Sequence, residues 1–366
     1  MGYNYSNEVI KRKYEKYLKE ASGLSESSIK IARRSLKKID EFLDNNDYAN
    51  FGIEEAMEFK KWLKSSQISI NSYVSICKQI QKFLSWLRRQ KGFQNKIPAD
   101  TIDYLNLSNK EDALSKCGRM PNIPTIEYVR KLVASIPPSS EVNMRDRALI
   151  SFACLTGMRD SALASLPIGN VNIERMFVEQ NPLDGVKTKF TKNITSKIFN
   201  FDKDLVDCVI KWHEILKKKQ FEPEDPFFPQ AKPQKIEGNL SFVASDYVTP
   251  VFWNGGGMIR NVFNRRAKAA SLEFYPPHKY RHLAIQLALD KAKSGEEIKA
   301  ISQNFGHEYV ATTFSVYGNY QPEQLIQKLS EIDNRSDESR VGQTSYQDLQ
   351  EIIKSALKEI AFDKLL

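Results

Sequence analysis

Apolar residues recur at helical spacing along most of this chain, and a long interruption of that pattern lies between residues 171 and 201. The segments "VNIERMFVEQ" and "GVKTKFTKNITSKIFNF" carry β-branched and aromatic residues split by Gly185 and by "TKN", which predicts a small antiparallel sheet. Helices are expected on both sides of it. In "SESSIKIARRSLKKIDEFL" Ser25 can cap a helix on which Ala32, Leu36, Ile39 and Leu43 share a face. A second helix is expected in "IEEAMEFKKWLKSS". A third, "SINSYVSICKQIQKFLSWLRRQKGF", has Tyr73, Ile76, Ile80, Phe83, Leu84 and Leu87 on one side and Lys78, Lys82 and Arg89 on another. That basic stripe reads either as a solvated face or as a row of phosphate contacts.

Length and charge narrow the class. At 366 residues with 41% hydrophobic content the chain suits two domains of ordinary size plus tails, and its longest apolar stretch, "ALISFACL", has only eight residues. No membrane partner is expected. The opening "MGYNYSNEVIKRKYEKYLKE" lacks the apolar segment of a secretory signal, and its Met-Gly-x-x-x-Ser start is too short a match to argue for lipidation. Cys77, Cys117, Cys154 and Cys208 lie far apart, as befits reduced cytoplasmic thiols rather than a zinc or redox pair. The net charge is +9, and residues 1–110 hold 20 Lys+Arg against 13 Asp+Glu, so most of the excess falls in the first third. A nucleic-acid surface is expected there.

The polar stretch "EDALSKCGR" reads as a linker, after which Pro124-Thr125 begin a new helix in "IEYVRKLVASI", followed by a longer one through "MRDRALISFACLTGMR". The expected organisation is a leader over 1–24, a helical domain over 25–110, a linker over 111–120, a second domain over 121–320 and a tail over 321–366. Two amphipathic helices are expected in the tail. Ile352, Ile353, Leu357 and Ile360 give the last one an apolar stripe suited to another molecule.

Several cations fall at helix junctions of the second domain. In "LTGMRDSALASL" Gly157 can end one helix in a left-handed conformation and Asp160 or Ser161 can start the next, leaving Arg159 in the break. In "PPHKYRHLAIQL" the prolines start a helix, so His278 and Arg281 lie one turn apart on one side, with His282 assigned to the other. In "SGEEIKAISQNFGHEYVATTFSVYGNY" Ser294 and Glu297 form a capping box, Gly306 ends that helix, His307 follows, and Tyr317 comes ten residues later. Each helix end alone is ordinary architecture. As a set, two arginines, two histidines, a lysine-rich hairpin and a tyrosine suit metal-free transesterification at a phosphate: guanidinium neutralises the oxygens through paired bonds, and a phenol can attack and later leave.

"LTGMR", "HKYRH", "FGH" and "TTFSVYGNY", in that order and spacing, resemble the tyrosine recombinase (phage integrase) family over about residues 25–320. The resemblance implies a mainly α fold: a helical, SAM-like core-binding domain and a mostly helical catalytic domain of the DNA breaking-rejoining type with a small antiparallel sheet, closing as a clamp on duplex DNA. It implies a site-specific recombinase working through a 3′-phosphotyrosyl intermediate, with no cofactor and no metal. Tyr317 is then the nucleophile, Arg159 and Arg281 clamp the phosphate, His278 assists proton transfer, and His307 bonds the phosphate. The hairpin lysine that protonates the leaving 5′-oxygen is Lys187, Lys189 or Lys192, with Lys189 favoured because it lies just before the turn. Lys78, Lys82 and Arg89 are the candidate DNA contacts. The family also implies a tetramer on two DNA sites and a cytoplasmic, nucleoid-associated protein; a short leader argues against a separate arm-binding domain.

The sequence departs from the family pattern at Ala162, where an acidic residue is frequent and for which Asp160 can substitute, and at Asn319, where histidine is frequent. A DNA-binding protein of the same fold that no longer cuts, or an enzyme resembling type IB topoisomerases or telomere resolvases, are the alternatives.

Overall fold

The computed structural model describes residues 4–116, 122–235 and 242–307, with three single positions beyond them. The chain divides after Arg119 into two units, each with its own apolar core.

In the first unit the helices are α1 (Tyr5–Glu20), α2 (Glu26–Phe42), α3 (Ile53–Ser65), α4 (Ile70–Arg88), the single turn α5 (Asp100–Asp103) and α6 (Asn109–Lys116). Their starts follow from the side chains that precede them. Ser25 accepts from the Ser28 N–H and Ser69 from the Ser72 N–H, which satisfies donors that a helix start leaves open. The apolar face of α4 closes on Ile39 of α2 and on Phe59 and Leu63 of α3, burying Tyr73, Ile80, Phe83, Leu84 and Leu87 while Ile76 packs at the margin.

Two expectations are corrected here. Residues read as a leader form α1, whose Ile10, Tyr14 and Leu18 follow at four-residue steps and enter the same core. The Tyr14 ring lies 5.2 Å from that of Phe83 and 4.9 Å from that of Trp86. Asp40 of α2 fixes the helix further, accepting from Lys11 at 2.7 Å and from the Tyr48 hydroxyl. The stretch read as a linker begins as helix α6, because Ser108 and Glu111 cap it reciprocally at 2.8 and 3.2 Å. Glu111 also accepts from Tyr73 at 3.0 Å and pairs with Lys64 at 2.6 Å, and these bonds hold its carboxyl down at about 2.

The second unit is built around α8 (Glu141–Thr156), which follows α7 (Ile126–Ala134). Nearly every residue from Ala148 to Leu155 is buried, so this helix is apolar all round and must be covered on every side. The cover comes from α7, α10 (Lys203–Lys218), α12 (Pro277–Leu289) and the hairpin of β4 (Gln230–Lys235) with β5 (Phe242–Thr249), while α11 (Gly256–Ala269) reaches it through arginine side chains. A short α9 (Asp160–Ala164) leads into the antiparallel sheet of β1 (Val171–Asn172), β2 (Phe177–Gln180) and β3 (Ile194–Lys197), in that spatial order. The last described helix is α13 (Gly295–Asn304).

The fold class is as expected, mainly α with a small antiparallel sheet where the pattern changes. The β4–β5 hairpin was not anticipated. It rests on α8 through Glu141, which accepts from the Val248 N–H at 2.9 Å and pairs with Lys219 at 2.8 Å. Near the start of α8, the fully buried Asp146 accepts from Arg145, Arg265 and Arg266. Arg145 in turn stacks over Trp253 and donates to the Pro229 carbonyl at 2.8 Å. Removing one member of such a set strands a buried charge, which is why the group acts as one joint between α8, α11 and the hairpin. No helix among the described residues is long and apolar enough to cross a membrane.

Because α1 is part of the first core, Tyr14→Ala is expected to destabilise that unit by about 3–5 kcal/mol, the range for truncating a large buried ring. Urea unfolding followed by tryptophan fluorescence measures it. An unchanged first transition would show α1 to be peripheral.

Candidate active site

Three helix ends meet in the second unit. Gly157 ends α8 with φ 60°, and its N–H returns to the Ala153 carbonyl. Arg159, extended at φ −73° and ψ 150°, then opens α9. At the end of α13, Gly306 (φ 66°) turns the chain and the His307 N–H closes on the Ser302 carbonyl at 3.0 Å. From α12, Arg281 reaches both ends: its guanidinium donates to the Gly157 carbonyl at 2.9 Å and to the Phe305 carbonyl, and stands 3.2 Å from His307 Nε2. Arg281 is 7% exposed, so these bonds replace water that burial removed.

The approach is close enough to require glycine at 157 on two grounds. Its φ is left-handed, and a Cβ there would lie 2.5 Å from the Phe305 ring. Phe305 also sits under the Arg281 guanidinium, 5.5 Å away.

Burial, then the charges of Arg281 and Arg159, push the His307 imidazole down to about 4, so the ring is neutral at pH 7. A guanidinium only donates, so Nε2 accepts from Arg281 and the ring proton sits on Nδ1. Two cations and a neutral ring with one N–H make an anion-binding constellation. His278, one turn before Arg281, is exposed at the helix start, yet it too is held below the usual imidazole range, by desolvation first and Lys279 second, with Asp160 acting in the opposite direction. Asp160 accepts from Arg260 of α11 at 2.8 Å and packs so tightly on Gly256 that a Cβ there would meet its carboxyl carbon at 2.5 Å. Ala162, where an acidic residue was the expectation, is buried.

His282 corrects the sequence reading. Four residues from His278, it lies on the same side of α12, with ring centroids 6.1 Å apart, and burial followed by Lys279, His278 and Arg281 pushes it down to about 4.

The candidate lysines stand on the link between β2 and β3, which spans residues 181–193 rather than a tight hairpin. Its base is fastened to α9. Ser165 accepts from the Lys187 N–H at 2.8 Å, and Ser161 donates to the Lys187 carbonyl at 3.3 Å. Lys189–Thr191 form a single turn in which Phe190 (φ 59°) and Thr191 (φ 54°) are both left-handed, at a cost of about 1–2 kcal/mol each. Thr188 closes the turn by donating to the Lys192 carbonyl at 2.7 Å. Lys189 is exposed with its ammonium 4.7 Å from the Phe190 ring, and Lys192 is half-buried. Tyr317, Asn319 and the tail lie outside the described residues.

In the first unit, Lys78, Lys82 and Arg89 lie on the exposed side of α4, with Arg89 stacked over Tyr17 of α1. Cys77, Cys154 and Cys208 are buried free thiols, and Cys117 falls outside the described residues.

The family model for the phage integrase family matches residues 125–324, more than half of the chain. The chain belongs to the phage integrase family of tyrosine recombinases. Tyrosine recombinase XerD of Vibrio cholerae is 24% identical to this integrase-family chain over 313 residues, covering 83% of it and 89% of the relative. The XerD of Staphylococcus haemolyticus is 22% identical over 333 residues, 90% of this chain and all of the relative. Two solved structures share the fold: XerH recombinase bound to a palindromic difH substrate after cleavage (TM-score 0.59, 18% identity, 88% of this chain and 85% of that one), and a lambda integrase dimer on a COC′ core site (TM-score 0.59, 14% identity, 85% and 94%).

The neutral histidines predict a pH dependence. In the folded chain His282 and His307 refuse a proton that the unfolded chain accepts near 6.5, so their contribution to stability is complete above that value and is lost as pH falls toward about 4. In an NMR titration of the free protein both rings are expected to titrate near pH 4. Midpoints near 6.5 would mean that the site is open to water.

Proposed function

We infer that this chain is a site-specific DNA recombinase that cuts and rejoins duplex DNA through a 3′-phosphotyrosyl intermediate. The observation that carries the site assignment is the meeting of Arg159, Arg281 and His307 at three helix ends, inside a phage integrase family domain.

In this reading the Tyr317 hydroxyl attacks the scissile phosphate, the new bond joins its oxygen to phosphorus, and the bond to the 5′-oxygen breaks. Arg159 and Arg281 neutralise charge that grows on the non-bridging oxygens, where fixed donors are worth most because they need not reorganise. His307, neutral and carrying a single N–H, bonds one of those oxygens. His278 takes up the tyrosine proton, a role that its depressed pKa suits because the ring is neutral and able to accept. A turn lysine returns a proton to the leaving 5′-oxygen. One phosphodiester is exchanged for another, so the bond energy is retained in the phosphotyrosine and a 5′-hydroxyl of the partner strand can reverse the step.

The first unit is proposed as the core-binding domain. Lys78 and Lys82 on the exposed side of α4 suit phosphate contacts that fix register without reading sequence. Exchange between two duplexes needs a pair of active sites on each, and we propose a tetramer on two DNA sites with the tail beyond residue 320 passing between neighbours. A location with the nucleoid follows from the DNA partner.

Tyr317→Phe removes one oxygen and leaves the phosphate clamp, so DNA binding is expected to match the wild type while a denaturing gel shows no covalent complex on a nicked suicide duplex. Trapped DNA on that variant would sink the assignment. The three turn lysines separate by substrate. General acid catalysis is worth ~10²–10⁴-fold, and a 5′-bridging sulfur leaves without a proton. Lys189→Ala is therefore expected to cleave ordinary DNA slowly and the thio substrate at near wild-type rate, whereas Arg159→Ala stays slow on both. Rescue confined to Lys187→Ala or Lys192→Ala would move the role to that residue.

A further inference from the structure

The turn that carries the lysines also carries an apolar residue that no core explains. Phe190 is 74% exposed, at the tip of the turn, with Lys187, Lys189 and Lys192 around it. Its backbone is left-handed at φ 59°, a conformation that a bulky residue rarely adopts, and Thr191 beside it is left-handed too. Strain of this kind persists only where the surroundings enforce it, and here they do. Val186 is buried, Lys187 is bonded to α9 on both its N–H and its carbonyl, and Thr188 ties across to Lys192. The base of the turn is rigid and its tip holds an aromatic ring out in water.

We propose that Phe190 is a DNA-contacting finger, wedged against a base step next to the phosphate that the site attacks. The inference rests on the recombinase reading and extends it to a residue that positions the duplex. Charge selects the partner. The other exposed apolar residue of this link, Leu183 (93% exposed), stands beside Asp184, whereas Phe190 stands among three lysines, a setting that suits an anionic partner. Apolar side chains that enter duplex DNA do so by partly unstacking a step while neighbouring cations hold the backbone. In the free protein the Lys189 ammonium rests 4.7 Å from the Phe190 ring, so seating the ring against bases frees that ammonium to turn toward the phosphate.

The test uses the full chain carrying Tyr317→Phe, so that DNA stays uncut, and a duplex selected for binding to it from a random-sequence pool. 2-Aminopurine placed at each central position in turn reports unstacking. Binding is expected to brighten the probe at one step. Phe190→Ala should abolish that signal and weaken binding about ten-fold, the scale of one lost base contact. It should leave the slope of log K against log salt unaltered because no charge is removed. Phe190→Leu should keep most of both, since an aliphatic wedge also unstacks. Phe190→Gly fits the left-handed backbone, so it should bind as poorly as the alanine variant without lowering the thermal midpoint, which a purely structural role would not permit.

Equal binding and an equal probe signal for Phe190→Ala would overturn the proposal. So would a common loss of cleavage rate in the Ala and Leu variants made in the Tyr317-bearing chain, with binding unchanged, because the ring would then act only through Lys189. Loss of self-association with DNA binding intact would assign the finger to a protein partner instead. If the pool yields no bound duplex at all, the recombinase reading itself fails, and the inference with it.

Discussion

A single guanidinium holds the second unit's functional end together. Arg281 leaves α12 with its charge almost wholly buried, and a buried cation is tolerated only when its donors are occupied. It finds the carbonyl that ends α8 and the carbonyl that ends α13, so two helix termini acquire a partner from a third helix. Everything else at the site depends on that. Gly157 must lack a side chain so that Phe305 can come close, Gly306 must turn left-handed so that His307 doubles back, and Arg159 takes its place because α8 stops where it does.

The same arrangement sets the electrostatics. His282 is kept neutral by burial and then by Lys279, His278 and Arg281, and His307 by burial and then by Arg281 and Arg159, so the positive charge of the site resides in groups that do not titrate near neutrality. Across the site, Asp160 is engaged by Arg260 and by its own helix start at the Ser161 N–H. A carboxylate thus committed acts on His278, opposing the fall in its affinity for a proton.

Much of this was legible in the sequence, and the gaps have physical reasons. Gly157, Ser294 and Gly306 mark helix ends by rules that act within a few residues, so the junctions at Arg159 and His307 could be placed before any fold was known. The stripe of α4 was equally plain. The α1 helix was overlooked although Ile10, Tyr14 and Leu18 repeat at helical steps, because its charged residues masked a narrow apolar face. His282 was assigned to the wrong side of α12 against the four-residue rule itself. What no local rule could supply is the long-range pairing: Arg281 with two carbonyls more than twenty residues away in either direction, Asp146 with arginines of α11, and the β4–β5 hairpin, whose Pro233 argues against a strand when read alone.

The fastening of Lys187 to Ser161 and Ser165 makes the lysine turn and the arginine junction one mechanical part, although 28 positions of sequence separate Arg159 from Lys187. Exchanging the loop with that of a relative is one way to alter cutting behaviour. A transplant limited to residues 181–193 would leave its two serine anchors behind and arrive untethered. The portable cassette runs from Arg159 through Lys197, short helix and sheet included, and a chimaera drawn at those borders would carry its own alignment with it.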